Sequence, residues 1–256
     1  EIDGKQMMET IKHLTDEIGV RPSGSDNAST TAFYISDKLS TTGYHYQIQD
    51  YRLSNNRIAR NIQAFYPGTS AKEIILIGHY DSPVKSVGAQ ASACGIGLLL
   101  ESARLVRGQT LPDSVHFAFL GAEEKIPGIG DMYSGSGALA DYQKKLGTSQ
   151  LGGILVLENS GSVNSWIIST TAQTPSELIT RVENAALRTR QAIEFRTADE
   201  NQISSPLVTG NLPVIFMKQN LKKPISSAKD TFSQVSRNTL ESTAQFILEF
   251  IKNKPE

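Results

Sequence analysis

The chain has 256 residues, a net charge of −1 at pH 7 and an ordinary globular composition, with 39% apolar and 20% charged residues. This length suffices for a substantial core, and we expect a single domain over residues 1–256. The balanced charge predicts no nucleic-acid partner, and no apolar run approaches the length of a membrane span. The lone cysteine, Cys94, excludes an internal disulfide.

Apolar periodicity predicts helices and strands that alternate along the chain. In chain order, we predict helices at 7–18 and 30–39, strands at 44–51, 58–66 and 73–78, a helix at 93–106, a strand at 115–120, a helix at 138–145, strands at 153–157 and 166–169, a helix at 176–186, a strand at 214–217 and a helix at 240–251. Three of the strands are almost entirely apolar, as in strands that are buried on both faces. The alternation predicts an α/β fold whose mostly parallel sheet is covered by helices on both faces.

The first candidate for chemistry is His79, which closes the apolar run 74–78. Asp81 follows two residues later, and a nearby carboxylate can hold an imidazole in the tautomer that a metal requires. A His-x-Asp pair is a weak signal when it stands alone. The other histidines serve other roles, since we expect His13 and His45 at the surface and His116 packed and hydrogen-bonded inside a strand.

Acidic residues follow the ends of two further predicted strands. Glu123 and Glu124 come after the run 115–120, and Glu158 comes directly after 153–157. Adjacent carboxylates in a hydrolase can divide the work, because one binds the metal and the other accepts a proton from the bound water. Open α/β sheets build their sites at the carboxyl edge, so we expect these side chains to converge there with His79.

In order and spacing, these motifs resemble the co-catalytic di-zinc exopeptidases. That family includes bacterial leucyl aminopeptidases, glutamate carboxypeptidase II, glutaminyl cyclase and the protease-like domain of transferrin receptor. The resemblance covers nearly the whole chain and is carried by the segments 19–25, 77–82, 88–95, 99–104, 122–124, 211–214 and 229–231. It implies a three-layer α/β sandwich with a central mixed, mostly parallel sheet, and two zinc ions as cofactors.

The resemblance also assigns roles to the candidate residues. His79 matches the first metal-binding histidine and Asp81 matches the aspartate behind it. Glu123 matches the general base and Glu124 a metal-binding carboxylate. Glu158 stands where the family usually has an aspartate, and its longer side chain still offers a metal ligand.

Two ligand positions depart from the family pattern. Ala91 aligns with the bridging aspartate, the fourth residue of Gly-Ala-x-Asp-x-x-Ser-Gly. Ser226 aligns with the final histidine, four residues before an Asp-Thr pair. The second departure does not depend on the alignment, because no histidine occurs after His116.

These departures leave too few ligands for two zinc ions. One site would keep His79 and Glu158 and the other only Glu124, whereas catalytic zinc sites normally keep three protein ligands. Without the metal, nothing lowers the pKa of the attacking water. We therefore expect zinc to be absent or weakly bound, and the protein to be a catalytically impaired or non-catalytic pseudo-peptidase.

The main alternative is an active metallo-aminopeptidase that removes N-terminal residues from peptides. It requires replacement ligands, for which Asp199 and Asp230 are candidates. Otherwise, Ala91 and Ser226 must be substitutions introduced into a protein whose unsubstituted metal site is complete. A single-zinc cyclotransferase of the glutaminyl cyclase kind is disfavoured, since it depends on the bridging aspartate and the last histidine.

The acidic residues at the carboxyl edge of the predicted sheet suggest what a cleft there would bind. Facing carboxylates raise one another's pKa, and we hypothesise that an ammonium group, a cation or retained protons relieve this repulsion. We expect a peptide or protein partner in the cleft, and the Gly- and Pro-containing stretch 125–134 is placed to overhang it. Because the chain begins at Glu1 rather than Met, and the family is often secreted or periplasmic, we expect one of those locations.

Overall fold

The computed structural model describes residues 1–125, 132–147, 150–198, 204–221 and 227–253. Within these ranges, eight strands form one sheet: β1 (Tyr46–Arg52), β2 (Ile58–Tyr66), β3 (Glu73–His79), β4 (Ser114–Leu120), β5 (Leu151–Leu157), β6 (Ser165–Thr170), β7 (Ala192–Thr197) and β8 (Val214–Gln219). Their order across the sheet is β1-β2-β4-β3-β5-β8-β6-β7.

The centre of the sheet is parallel and its flanks are mixed. β4, β3, β5 and β8 run parallel to one another. β1 and β2 continue the sheet antiparallel on one side, while β6 is antiparallel to β8 and β7 is parallel to β6. The central strands are apolar on both faces because helices cover both.

Helices form the two outer layers. They are α1 (Gly4–Lys12), α2 (Asp26–Thr41), α3 (Cys94–Val106), α4 (Ser134–Leu146), α5 (Ser176–Thr189), α6 (Ser205–Thr209) and α7 (Arg237–Lys252). The larger apolar core lies between one sheet face and α1, α2, α3, α5 and α7. A smaller core joins the opposite face to α4 and α6 through residues such as Leu139 and Leu207. The predicted three-layer α/β sandwich is confirmed.

Two elements were absent from the sequence prediction. β7 is an edge strand that is exposed along nearly its whole length, so it lacks the alternation by which a half-buried strand is recognised. α6 has only five residues, too few for a helical period to be visible. His116 also differs from its prediction: it is fully buried, as expected, but neither ring nitrogen has a hydrogen-bond partner among the residues that the structure describes.

The parallel strands bring the chemical residues to one edge of the sheet. β3 ends at His79, β4 ends three residues before Glu123, and β5 ends immediately before Glu158. The backbone continues this alignment past the strand ends, because the Tyr80 amide donates to the carbonyl of Leu120 at 2.9 Å. In the part of the chain that is described, no helix is both long and apolar enough to span a membrane.

Candidate functional site

His79 and Asp81 form a buried pair at the end of β3. Nδ1 of His79 lies 3.1 Å from Oδ1 of Asp81, and the two side chains are only 2% and 0% exposed. The other carboxylate oxygen, Oδ2, accepts from the Ser23 hydroxyl at 2.8 Å and from the Glu124 backbone amide at 2.8 Å. Burial would raise the pKa of Asp81, but its hydrogen bond and ion pair with His79, and these two donors, outweigh burial and lower it. The carboxylate is therefore fixed in its ionised form.

The second ring nitrogen of His79 faces the residue that stands in place of a bridging aspartate. Nε2 lies 3.0 Å from the carbonyl oxygen of Ala91. A carbonyl and an ionised carboxylate only accept hydrogen bonds, so both ring nitrogens of His79 must donate, which describes an imidazolium. Burial would lower the pKa of His79, but the Asp81 hydrogen bond and charge, with Glu124 and Glu123, raise it to about 9.

Asp230 holds the Ala91 backbone in this position. Its Oδ1 accepts from the Gln90 amide at 2.7 Å and its Oδ2 from the Ala91 amide at 3.1 Å. Both amides belong to the π-helical segment Ala89–Ala93 that leads into α3, whose first N–H groups have no partner within the helix. Asp230, named above as a possible replacement ligand, thus caps a helix with both oxygens. Burial raises its pKa against the opposing effect of these bonds.

Glu123 is almost fully enclosed, with 1% of its surface exposed. Its Oε1 accepts from the Ser136 amide at 2.6 Å and its Oε2 from the Ser204 hydroxyl at 2.7 Å. Burial raises its pKa to about 7, against the lowering effect of both bonds. Ala122 and Ser204 both have positive φ, at 55° and 62°, a conformation that costs energy for residues with a side chain. Strained backbone on two sides therefore holds the Glu123 carboxylate in place.

Glu124 and Glu158 complete the acidic edge. Glu124 is partly exposed, and burial raises its pKa, with His79 opposing and Asp81 and Asp230 reinforcing the shift. Glu158 is buried, and its backbone amide donates to the Met217 carbonyl at 2.9 Å. The predicted convergence at the carboxyl edge thus places His79, Asp81, Glu123, Glu124 and Glu158 after adjacent parallel strands.

One contributor was recognised in the sequence only as part of a motif. Arg21 is 0% exposed, and its guanidinium donates to the carbonyls of Tyr80, Leu14 and Gly19 and to the Ser92 hydroxyl. Burial lowers its pKa to about 10, against the opposing charges of Asp81 and Asp230. The sequence does not predict this burial, because the groups that accept from Arg21 lie as far apart along the chain as Leu14 and Ser92 and meet only in the folded protein. Arg21 places a fixed positive charge next to the His79–Asp81 pair.

Among the described residues, the ligand set that a metal centre requires is incomplete. Across the described ranges, no group of three or more His, Cys, Asp or Glu is arranged to hold a metal ion. Ser226, Asp199 and most of the stretch 125–134 lie outside the described residues. The described donors alone therefore do not fit the two-zinc site that the sequence resemblance implies.

Comparisons of structure place the fold among metallopeptidases and cyclases. The chain superposes on an aminopeptidase from Aneurinibacillus sp. strain AM-1 with a TM-score of 0.86 and 14% identity, covering 100% of this chain and 95% of the other. It also superposes on a glutaminyl cyclase from an Acidobacteriales bacterium with a TM-score of 0.80 and 19% identity, covering 98% and 94%. At these identities the likeness concerns the fold.

Comparisons of sequence identify the family. An uncharacterized protein, YfbL, from Escherichia coli K12 is 29% identical over 129 residues, which are 47% of this chain and 40% of YfbL. The chain thus matches about two fifths of the length of that relative. The family model of peptidase family M28 matches residues 61–251, about three quarters of the sequence. The chain belongs to peptidase family M28.

Proposed function

We propose that this chain is an M28 domain whose metal site is incomplete, so that peptide hydrolysis is impaired and the acidic cleft serves to bind a peptide or protein. The observation that carries the proposal is the contact between His79 and Ala91. Asp81 occupies Nδ1, so Nε2 is the nitrogen left for a metal, and it is directed at a carbonyl 3.0 Å away. A metal at Nε2 would have to displace this hydrogen bond and the proton that makes it.

The surroundings of Glu123, the residue that matches the general base, also support impaired hydrolysis. A base must accept a proton from a water that a metal has acidified. Glu123 is 1% exposed, and its oxygens accept hydrogen bonds from Ser136 and Ser204 at 2.6 and 2.7 Å, so it has almost no surface at which to meet a water. In this arrangement Glu123 joins β4 to α4 and α6 and acts as a support of the cleft wall.

The competing function is an active, zinc-dependent aminopeptidase, which membership of the family favours. It would need ligands from outside the described residues, such as Asp199, or movement of His79 away from Ala91. The name of the Aneurinibacillus relative gives the reaction class to test, removal of N-terminal residues from peptides.

Metal content and turnover separate the two functions. The purified protein, dialysed against zinc and washed, is analysed for bound zinc and assayed with aminoacyl p-nitroanilides. We expect much less than one zinc per chain and no turnover above the uncatalysed rate. Stoichiometric zinc together with cleavage would show that the protein is an active aminopeptidase.

A restoration experiment tests whether only two ligands are missing. The double variant Ala91→Asp, Ser226→His should gain zinc binding, because it returns a carboxylate and an imidazole to the positions where the family has them. The matched control, Ala91→Asn with Ser226→Asn, adds similar volume without a metal-binding charge and should gain none. Equal zinc binding by both variants, or by neither, would contradict the two-ligand explanation.

A further inference from the structure

Three buried polar side chains near α4 and the sheet carry atoms without a hydrogen-bond partner among the described residues. Oε1 of Gln63, both ring nitrogens of His116 and Nε2 of Gln143 make no hydrogen bond with any of the described residues. Gln63 is 2%, His116 0% and Gln143 4% exposed. A buried donor or acceptor without a partner costs about 1–3 kcal/mol, so three such side chains on separate elements call for a common explanation.

Gln63 and His116 lie together on the face of the sheet that α4 covers. Gln63 pairs with Ala118 in the register of β2 and β4, and Phe65 pairs with His116. The two polar side chains are therefore diagonal neighbours on one face, within reach of long side chains. Phe65 stacks on the His116 ring with centroids 4.2 Å apart, which closes one side of the site.

The position of α4 places Gln143 at about the same distance from the carboxyl edge of the sheet as His116. α4 begins beside Asn61, whose Nδ2 donates to the Gly135 carbonyl at 2.9 Å, and it then runs away from the carboxyl edge. The eight residues from Gly135 to Gln143 rise roughly 12 Å, and the four residues from Asn61 to Phe65 span roughly 13 Å. Gln143 lies on the buried face of α4, so these two similar spans carry it to the level of His116 on the covered face of the sheet.

We propose that Gln63, His116 and Gln143 bind an ordered internal water molecule beneath α4. The chemistry of the three groups matches one water. Gln143 Nε2 donates to its oxygen, and its two hydrogens are donated to Gln63 Oε1 and to His116 Nε2, which gives about the three bonds typical of buried water.

The second ring nitrogen of His116, Nδ1, does not take part in binding the proposed water. Nδ1 faces Glu73, whose Oε1 lies 3.6 Å away, beyond hydrogen-bond distance. Nε2, on the opposite side of the ring, is the nitrogen available to the water. Gln63 is held in place by its own amide, because its Nε2 donates to Gln49 Oε1 at 3.4 Å and Gln49 donates to the Ala138 carbonyl at 3.1 Å.

The substitution Gln143→Leu distinguishes a bound water from three orphan groups. If a water bridges them, leucine removes one of its donors and the melting temperature falls by about 2–4 °C. If the groups are orphans, leucine removes an unsatisfied donor and the melting temperature rises instead, which would overturn the proposal. Lys144→Leu, at the exposed neighbouring position of α4, controls for the effect of an added leucine on the helix.

A second measurement uses the unmodified protein and does not depend on how a variant folds. Water–protein nuclear Overhauser effects should show a long-lived water next to the His116 ring protons, and a high-resolution crystal structure should show density within hydrogen-bond distance of all three side chains. Gln63→Leu should remove both signals. Continuous protein density with direct contacts between the side chains would refute a bound water.

Discussion

At the scale of single residues, the site is decided by what surrounds His79. Asp81 and the Ala91 carbonyl both accept hydrogen bonds from its ring, so the protein stabilises a positive charge at the place where the family resemblance expects a metal-binding nitrogen. Arg21 adds a second buried cation close to Asp81. The cleft carboxylates are therefore balanced in part by protein cations.

Stability should fall as the pH rises. The pKa of Glu123 is raised from 4.5 to about 7 and that of His79 from 6.5 to about 9. In both cases the folded state holds a proton that the unfolded chain releases. The stabilisation is complete below the unfolded pKa and is lost as the pH passes the folded one, by up to about 1.4 kcal/mol per pH unit for each extra proton.

Urea unfolding of the metal-free protein at several pH values measures this dependence. The free energy of unfolding should decline from about pH 5 to about pH 9, and Glu123→Gln should flatten the lower part of the decline while leaving the upper part. A free energy that rises across this range would show that neither group is protonated as described.

Removing the charge of Asp81 should be costly. Asp81→Asn takes a carboxylate from His79, Ser23 and the Glu124 amide, and the amide nitrogen of asparagine cannot accept from any of them. We expect a loss of about 3–5 kcal/mol in unfolding free energy and a lower pKa of His79 by NMR titration. Asp37→Asn, on the exposed face of α2, is the matched control and should change neither quantity.

At the scale of elements, the segment that leads into α3 controls the site. Asp230 binds the Gln90 and Ala91 amides, so one side chain both caps this helix and sets the position of the Ala91 carbonyl. The sequence predicted α3 from its apolar period but offered no sign of the π-helical segment before it. That segment depends on Asp230, which lies about 140 residues away along the chain.

The capping role predicts the effect of changing Asp230. Asp230→Ala should lower the free energy of unfolding by about 1–2 kcal/mol, as the loss of other helix caps does, and Asp230→Asn, which keeps one acceptor, should lose less. Chemical denaturation of the metal-free variants measures both. If Asp230 were instead a replacement zinc ligand, the alanine variant would lose zinc affinity without a comparable loss of metal-free stability.

At the scale of the whole molecule, the two ends of the chain share one core. Met7 and Ile11 of α1 belong to the same apolar cluster as Ile247 and Ile251 of α7, and the sheet is continuous from β1 to β7. A single domain over residues 1–256 stays a prediction, and it implies that the two ends of the chain unfold together.

Calorimetry tests the single-domain expectation. We expect one unfolding transition whose calorimetric and van't Hoff enthalpies agree. Two resolved transitions would mean that part of the chain folds independently. The variant Lys144→Leu, altered only at an exposed position, should retain the single transition.

The sequence by itself determined the fold and the family. The buried strands and the helices at 93–106 and 240–251 are visible because their apolar periods are long and strong, and the motifs around His79 and Glu123 keep their spacing whatever the packing. The ranges were short by a few residues at most ends, since caps and frayed turns do not alter the apolar pattern.

Only the tertiary structure decided how the site residues are engaged. The His79–Ala91, Glu123–Ser204 and Asp230–Gln90 contacts join residues that are 12, 81 and 140 positions apart, and no local pattern encodes such distances. The same is true of the unpartnered nitrogens of His116, because an apolar alternation predicts that a side chain is buried and says nothing of what it meets there. Burial follows from local pattern, whereas hydrogen-bond pairing and pKa depend on three-dimensional neighbours.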